Sequence, residues 1–188
     1  MKTFNAEIIS QGEEVITGQI VDTNAAWLSE RLTRLGFQIT RHITVGDRLD
    51  DLITTFVEVT KRADVCICTG GLGPTSDDLT SQAVATAFNR PLHEDKIALQ
   101  KIQQYFTQRQ KTMAVINRKQ ALMPEGARRL DNHWGTAPGF VLRENDCQLF
   151  CVPGVPYEMR QLFEHQIEPL LIVDYEQQAS QLVTIRTV

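Results

Sequence analysis

Thr69-Gly70-Gly71-Leu72-Gly73-Pro74-Thr75-Ser76-Asp77-Asp78-Leu79-Thr80 gathers the residue types that handle a phosphate. Gly70, Gly71 and Gly73 let backbone N–H groups approach an anion without side-chain interference, and Thr69 and Thr75 add hydroxyls. The helix expected over residues 81–88 contributes free N–H groups and the positive end of its dipole. The apolar run Val65-Cys66-Ile67-Cys68 comes just before, which makes the arrangement strand, glycine turn, helix. Two carboxylates then stand where the anion should go. Asp77 and Asp78 repel it directly, so either they cap the helix start or they hold a cation between themselves and the phosphate, and for Asp77 both roles stay open. The run lacks the Lys-Ser/Thr of a P-loop and the glycine spacing of the dinucleotide fingerprint.

The elements that must position this loop alternate. Residues 4–10 read as a short apolar strand, residues 23–35 carry apolar residues near helical spacing until Gly36 ends them, residues 37–43 alternate as a strand, residues 49–59 resume the helical period, and residues 65–68 form a continuous apolar strand. This pattern predicts an α/β fold of three layers, a mostly parallel sheet with helices on both faces. Residues 95–108 and 114–122 read as polar helices, and residues 140–142 and 149–152 flank a polar turn with Asn145-Asp146 at its tip, a C-terminal antiparallel hairpin. In an open α/β sheet ligands bind at the carboxyl ends of the strands. That edge would gather the loops after the first three strands and, through the hairpin, bring Gly135 and Thr136 beside Pro153 and Gly154. Asn24 and Asp22 either bind a ribose or a cation there or cap a helix. Asn117 and Lys119 either supply hydrogen bonds and positive charge to a nucleotide or lie on a solvated helix face.

Composition narrows the classes of function. A net charge of −4 with no Lys/Arg cluster argues against nucleic acid, and the absence of an apolar leader or spanning run argues for a cytoplasmic protein with no membrane partner. Cys66, Cys68, Cys147 and Cys151 have neither zinc-ribbon nor Cys-x-x-Cys spacing and read as reduced core residues. The four histidines are scattered, with His133 placed to line a pocket, and no Ser lies in a Gly-x-Ser-x-Gly elbow.

Residues 69–80 resemble the signature of the molybdopterin-binding, MoaB/MogA-like superfamily, in the version found in the N-terminal domain of the CinA competence-damage family. Blocks at residues 12–24, 45–47, 117–121, 135–140 and 153–159 follow in the same order. The resemblance implies that Asp78 and Asp47 match the two superfamily aspartates and that Glu14 matches a third acidic position; Glu13 replaces the usual Asp. It implies a nucleotide pyrophosphatase hydrolysing ADP-ribose to AMP and ribose 5-phosphate. Asp78, Asp47 and Glu14 would be the catalytic residues and, with Asp77, the ligands of a divalent metal, cobalt or magnesium, with potassium as a helper. A cation above a phosphate cradle would supply the charge neutralisation that phosphoanhydride cleavage needs. Two other readings are a module that holds a pterin phosphate for molybdenum-cofactor assembly without turnover, and a non-catalytic interaction domain of a CinA-like protein. The resemblance also implies a homo-oligomer.

The domain is expected over residues 1–172, with a last helix over residues 155–166 closed at Glu168-Pro169. Residues 173–188 are expected to form a linker and, at residues 182–188, a strand whose partners belong to a following domain. The resemblance implies that in CinA relatives a C-terminal amidase lies beyond this point, and residues 1–188 are expected to carry none of it.

Overall fold

The computed structural model describes residues 3–175. Eight strands and seven α-helices follow in the order β1 (Asn5–Gln11), α1 (Glu13–Ile16), α2 (Thr23–Arg34), β2 (Gln38–Val45), α3 (Leu49–Val59), β3 (Val65–Thr69), α4 (Thr80–Ala87), β4 (Leu92–Glu94), α5 (Lys96–Gln108), β5 (Leu122–Pro124), β6 (Arg128–Leu130), β7 (Gly139–Glu144), β8 (Cys147–Val152), α6 (Pro156–Leu162) and α7 (Glu168–Tyr175). The main sheet has the order β2-β1-β3-β8-β7-β6, with β4 and β5 forming a separate antiparallel pair. Strands β2, β1, β3 and β8 run parallel and β7 runs antiparallel between β8 and β6, which is the predicted α/β architecture.

Alternation along the central strands divides the core into two layers. Ile9, Cys66, Cys68, Leu149 and Cys151 face one side with Leu52, Phe56 and Val59 of α3, Ala83 and Val84 of α4 and Ile102 of α5. Ile8, Val65, Ile67, Phe150 and Val152 face the other with Leu28 and Leu32 of α2, Met159 and Leu162 of α6 and Leu171 of α7. A strand buried on both faces reads as a continuous apolar run, which is what residues 65–68 show. All four cysteines are free and buried in the first layer, as expected of small apolar residues.

Local chemistry sets the boundaries. Asp22 caps α2 by accepting from Ala25 N–H at 2.9 Å. The helix ends when Gly36, at φ 88°, donates to Thr33 and Phe37 N–H reaches back to Leu32, a Schellman closure whose apolar clasp is Phe37 against Leu32. Asn145 and Asp146 both take positive φ, 49° and 66°, so the β7–β8 hairpin closes on a two-residue turn whose twist matches the strands.

Several readings shift. Residues 114–122 were expected to be α-helical; they form a 3₁₀ helix, Val115–Ala121, that runs into β5. The helix expected to stop at Glu168-Pro169 instead continues to Tyr175 through a π turn, Phe163–Ile167. The wider π turn accommodates Pro169, which has no N–H to give to the preceding turn. The strand expected at residues 182–188 lies outside the described residues. Among the described residues no helix is long and apolar enough to cross a membrane.

Candidate functional site

The carboxyl ends of β1, β2, β3 and β8 meet at one edge, and the loops that follow enclose a cleft of about 530 Å³. Backbone packing fixes these loops closely. Gly70 sits at φ 106°, and a Cβ there would lie 2.3 Å from the Gln11 carbonyl oxygen, so this position requires glycine. A Cβ on Gly154 would lie 3.3 Å from Gly70 Cα, so the β3 and β8 loops touch backbone to backbone.

The glycine loop folds around its own acid. Asp78 accepts from Gly73 N–H at 2.8 Å, from Thr75 N–H at 2.8 Å and from the Thr75 hydroxyl at 2.5 Å. Lys119 ties the same turn from outside by donating to the Thr75 carbonyl. The first residue of α4's capping position is Leu79, with no side-chain cap, so Asp77 is not the N-cap.

Gln11 is the hub that sequence reasoning missed. Its Nε2 donates to Asp47 at 3.1 Å and to the Asp77 carbonyl at 3.3 Å, and its Oε1 accepts from Thr80, whose hydroxyl also reaches the Gly70 carbonyl at 2.9 Å. Asp47 accepts in addition from Glu13 N–H at 3.2 Å, which links the β1 and β2 loops. Glu14 stands on the rim, folded over Gly12.

The remaining candidates fall into two groups. Thr69 is buried, donates to the Pro153 carbonyl at 3.1 Å and accepts from Asn24 Nδ2 at 3.1 Å, while the same Asn24 nitrogen donates to the Gly154 carbonyl at 2.8 Å. Asn117 is also buried and acts one step back: it donates to Gln120 at 3.2 Å, and Gln120 donates to the Thr136 hydroxyl at 3.0 Å on the cleft wall. Gly135 closes on Glu158, a half-buried cleft carboxyl that accepts from Asn132 at 2.6 Å. Burial pushes the Glu158 carboxyl up, and the Asn132 bond offsets only part of that. Gln120 and Glu158 were also missed; a lone Gln in a polar stretch and a Glu in a helix's first turn carry no signal until the fold brings them to the cleft. His133 lines a neighbouring cleft of about 250 Å³ instead.

The carboxylates expected to hold a metal do not form a cluster among the described residues. Asp78 and Asp47 are engaged with loop N–H groups and Gln11, and among the described residues no three His, Cys, Asp or Glu side chains form a group that could hold an ion. Asp78, Asp47, Glu14 and Asp77 line one cleft as separate carboxylates.

A mostly parallel sheet with a glycine loop folded around the Asp78 carboxylate at its carboxyl edge defines the class of α/β domain. The family model described as "Probable molybdopterin binding domain" matches residues 7–172, and the chain belongs to that family. Within it the chain is CinA-like. A CinA-like protein of Shewanella piezotolerans is 49% identical over 170 residues, covering 90% of this chain and 40% of the relative. One from Escherichia coli is 48% identical over 168 residues, 89% of this chain and 42% of the relative. The chain thus spans about 40% of the length of these relatives. The solved structure of the CinA protein "with unknown function" from Thermoplasma acidophilum superposes with a TM-score of 0.82 at 32% identity, covering 89% of this chain and 98% of that one. MoaB of Thermus thermophilus shares the fold, with a TM-score of 0.60 at 18% identity over 92% of this chain and 94% of that one.

These findings overturn the expectation of a metal-dependent ADP-ribose pyrophosphatase. The named relatives are CinA-like proteins without a stated hydrolase activity, and the carboxylates assigned to catalysis do not assemble a metal centre.

Proposed function

We propose that this domain binds a phosphorylated pterin or a chemically related nucleotide in the glycine-loop cleft and holds it without turnover. The observation that carries the reading is the convergence of Gly73 N–H, Thr75 N–H and the Thr75 hydroxyl on the Asp78 carboxylate. A loop that wraps an oxyanion of its own chain has the donors that a phosphate oxygen needs. The family description names molybdopterin, a pterin phosphate, and the MoaB protein that shares the fold is titled a molybdopterin biosynthesis enzyme.

In this reading the Gly73 and Thr75 N–H groups receive the phosphate, Gly70, whose own N–H is bonded to the Val152 carbonyl, and Gly71 give the turn its close backbone approach, Thr136 and Gln120 form the opposite wall, and Thr69, Asn24 and Asn117 keep the walls in place. Asp78 is the occupant that a ligand phosphate displaces. Calorimetric titration of the chain with 6-hydroxymethylpterin phosphate tests the proposal. Saturable one-to-one binding, with the ligand recovered intact, is expected; absence of binding at millimolar ligand overturns it.

A further inference from the structure

The helix that follows β8 is interrupted by the π turn Phe163–Ile167. Pro169 accounts for a missing helical hydrogen bond there, but not for what the turn presents. Gln166, inside the turn, grips both backbone groups of Asp131: the Asp131 N–H donates to its Oε1 at 2.9 Å, and its Nε2 donates to the Asp131 carbonyl at 2.6 Å. His165, the residue before, stacks on Trp134 with ring centroids 5.4 Å apart and planes 15° from parallel. Two successive residues of the turn thus hold the segment that leads from β6 into β7.

That segment carries the far wall of the main cleft. Asn132 organises it: Oδ1 accepts from Trp134 N–H at 2.9 Å and Gly135 N–H at 3.0 Å, while Nδ2 donates to the Ala137 carbonyl at 2.8 Å and to Glu158 Oε2 at 2.6 Å. Thr136, Ala137 and Glu158 line the cleft. A Cβ on Gly135 would lie 2.0 Å from Glu158 Oε2, so the segment covers the carboxylate it binds. Glu158 and Gln166 belong to the same interrupted helix. Without the interruption they would stand about 80° apart around the axis. A π turn closes i→i+5 bonds and advances less per residue, which brings the two side chains toward one face, where they meet the consecutive residues Asn132 and Asp131.

We infer that Gln166 is a positioning residue for the cleft: from the π turn, through Asp131 and Asn132, it sets the wall that presents Thr136 and Glu158. It does not line the cleft itself. The inference rests on the proposed ligand-binding role and adds a residue on which that role depends.

Gln166→Met keeps the side-chain volume and removes both bonds. Hydrogen exchange of the Trp134 and Gly135 amides should accelerate about tenfold, while the Gly73 and Thr75 amides across the cleft, bonded to Asp78, keep their rates. A general loss of stability would speed both pairs. Burial raises the Glu158 carboxyl, so uncovering it should move its NMR titration midpoint down toward that of a surface Glu. Glu14, Asp47, Asp77 and Asp78 face it from the segments after β1, β2 and β3, and Asp131, His133 and His165 belong to the wall segment and helix; all are kept in the variant. Affinity for 6-hydroxymethylpterin phosphate should fall about tenfold, the scale of one lost hydrogen bond. Asn132→Ala should weaken binding similarly, and the double variant should add little, as for two steps of one relay. Exchange and titration are read on the free protein, and if either stays as in the unaltered chain, the inference falls whatever binds. If both change while pterin phosphate affinity does not, the inference falls and the phosphate site stands. If the unaltered chain binds no pterin phosphate, the proposed function falls and takes this inference with it.

Discussion

Three donors of the glycine loop close on the Asp78 carboxylate, so a ligand phosphate that seeks the Gly73 and Thr75 N–H groups meets a negative charge already in place. Asp78→Ala should have opposite effects on folding and binding. Losing the charge-assisted bonds should cost about 2 kcal/mol, lowering the melting temperature by about 4–8 °C in a domain of this size. Affinity for inorganic phosphate should rise several-fold, because the competitor is gone. An unchanged phosphate affinity would place the anion elsewhere on the edge. The cysteines make a simpler case. Burial drives the Cys66 and Cys151 thiols well above their usual range and Cys147 up to about 12, so they lack both thiolate character and access. A thiol-reactive disulfide reagent at about pH 8 should label none of them in the native chain and all of them in denaturant; rapid native labelling would disprove the packing of this layer.

At the scale of elements, Glu7 joins β1 to β2 and to the turn after α3. It is fully buried in the strand, bonded to Arg62 by two contacts of 2.8 Å and to Arg41 at 3.1 Å. Burial alone would raise its carboxyl, but Arg62 and then Arg41 outweigh it and hold the folded value below normal. A depressed carboxylate contributes stability that is complete above the unfolded value near pH ~4.3 and is lost as pH falls through the folded value. Urea midpoints of the unaltered chain should therefore drop on acidification below about pH 4. Arg62→Ala should cost about 2–3 kcal/mol at neutral pH by leaving Glu7 half-paired, and should flatten that acid dependence; an undiminished acid slope would show that other carboxylates set it. Glu7 could not be read from the sequence, because a charged residue in an apolar strand looks like an interruption until Arg41 and Arg62, 34 and 55 residues away, arrive beside it. The helices and inner strands were legible because 3.6- and 2-residue periods are local. The three-residue strands β4, β5 and β6 were not, since too few residues exist to show a period.

For the whole molecule, the meeting of four loops at one edge was legible because parallel strands have no other way to order their ends, and it places Asp47, Asp78, Gly70 and Pro153 together as expected. Most of its acidic character was legible as well, through Asp77, Asp78, Asp47 and Glu14; the Glu158 carboxylate on the opposite wall was not. Glu14, Asp47, Asp77, Asp78 and Glu158 line the main cleft, no Lys or Arg among the described residues lines it, and the chain as a whole carries −4. An acidic cleft on an acidic protein repels the anion it is proposed to bind, so binding must come from N–H donors and ring contacts working against the long-range field. Salt should then act in the unusual direction. Screening weakens the repulsion more than the short hydrogen bonds, so affinity for a phosphorylated pterin should rise modestly from low to physiological ionic strength, where the Debye length is about 8 Å. Glu158 should add a pH dependence of known sign. Burial raises its carboxyl, so it is neutral over a wider acidic range than a surface Glu, and anion affinity should fall as pH rises through that value. Glu158→Gln should remove this component while leaving any effect of the ligand's own phosphate ionisation, which separates the two. Titration calorimetry of both proteins across pH and salt reads both effects, and a steep loss of affinity with added salt, the mark of a site built on Lys and Arg, would show that the ligand binds away from this edge.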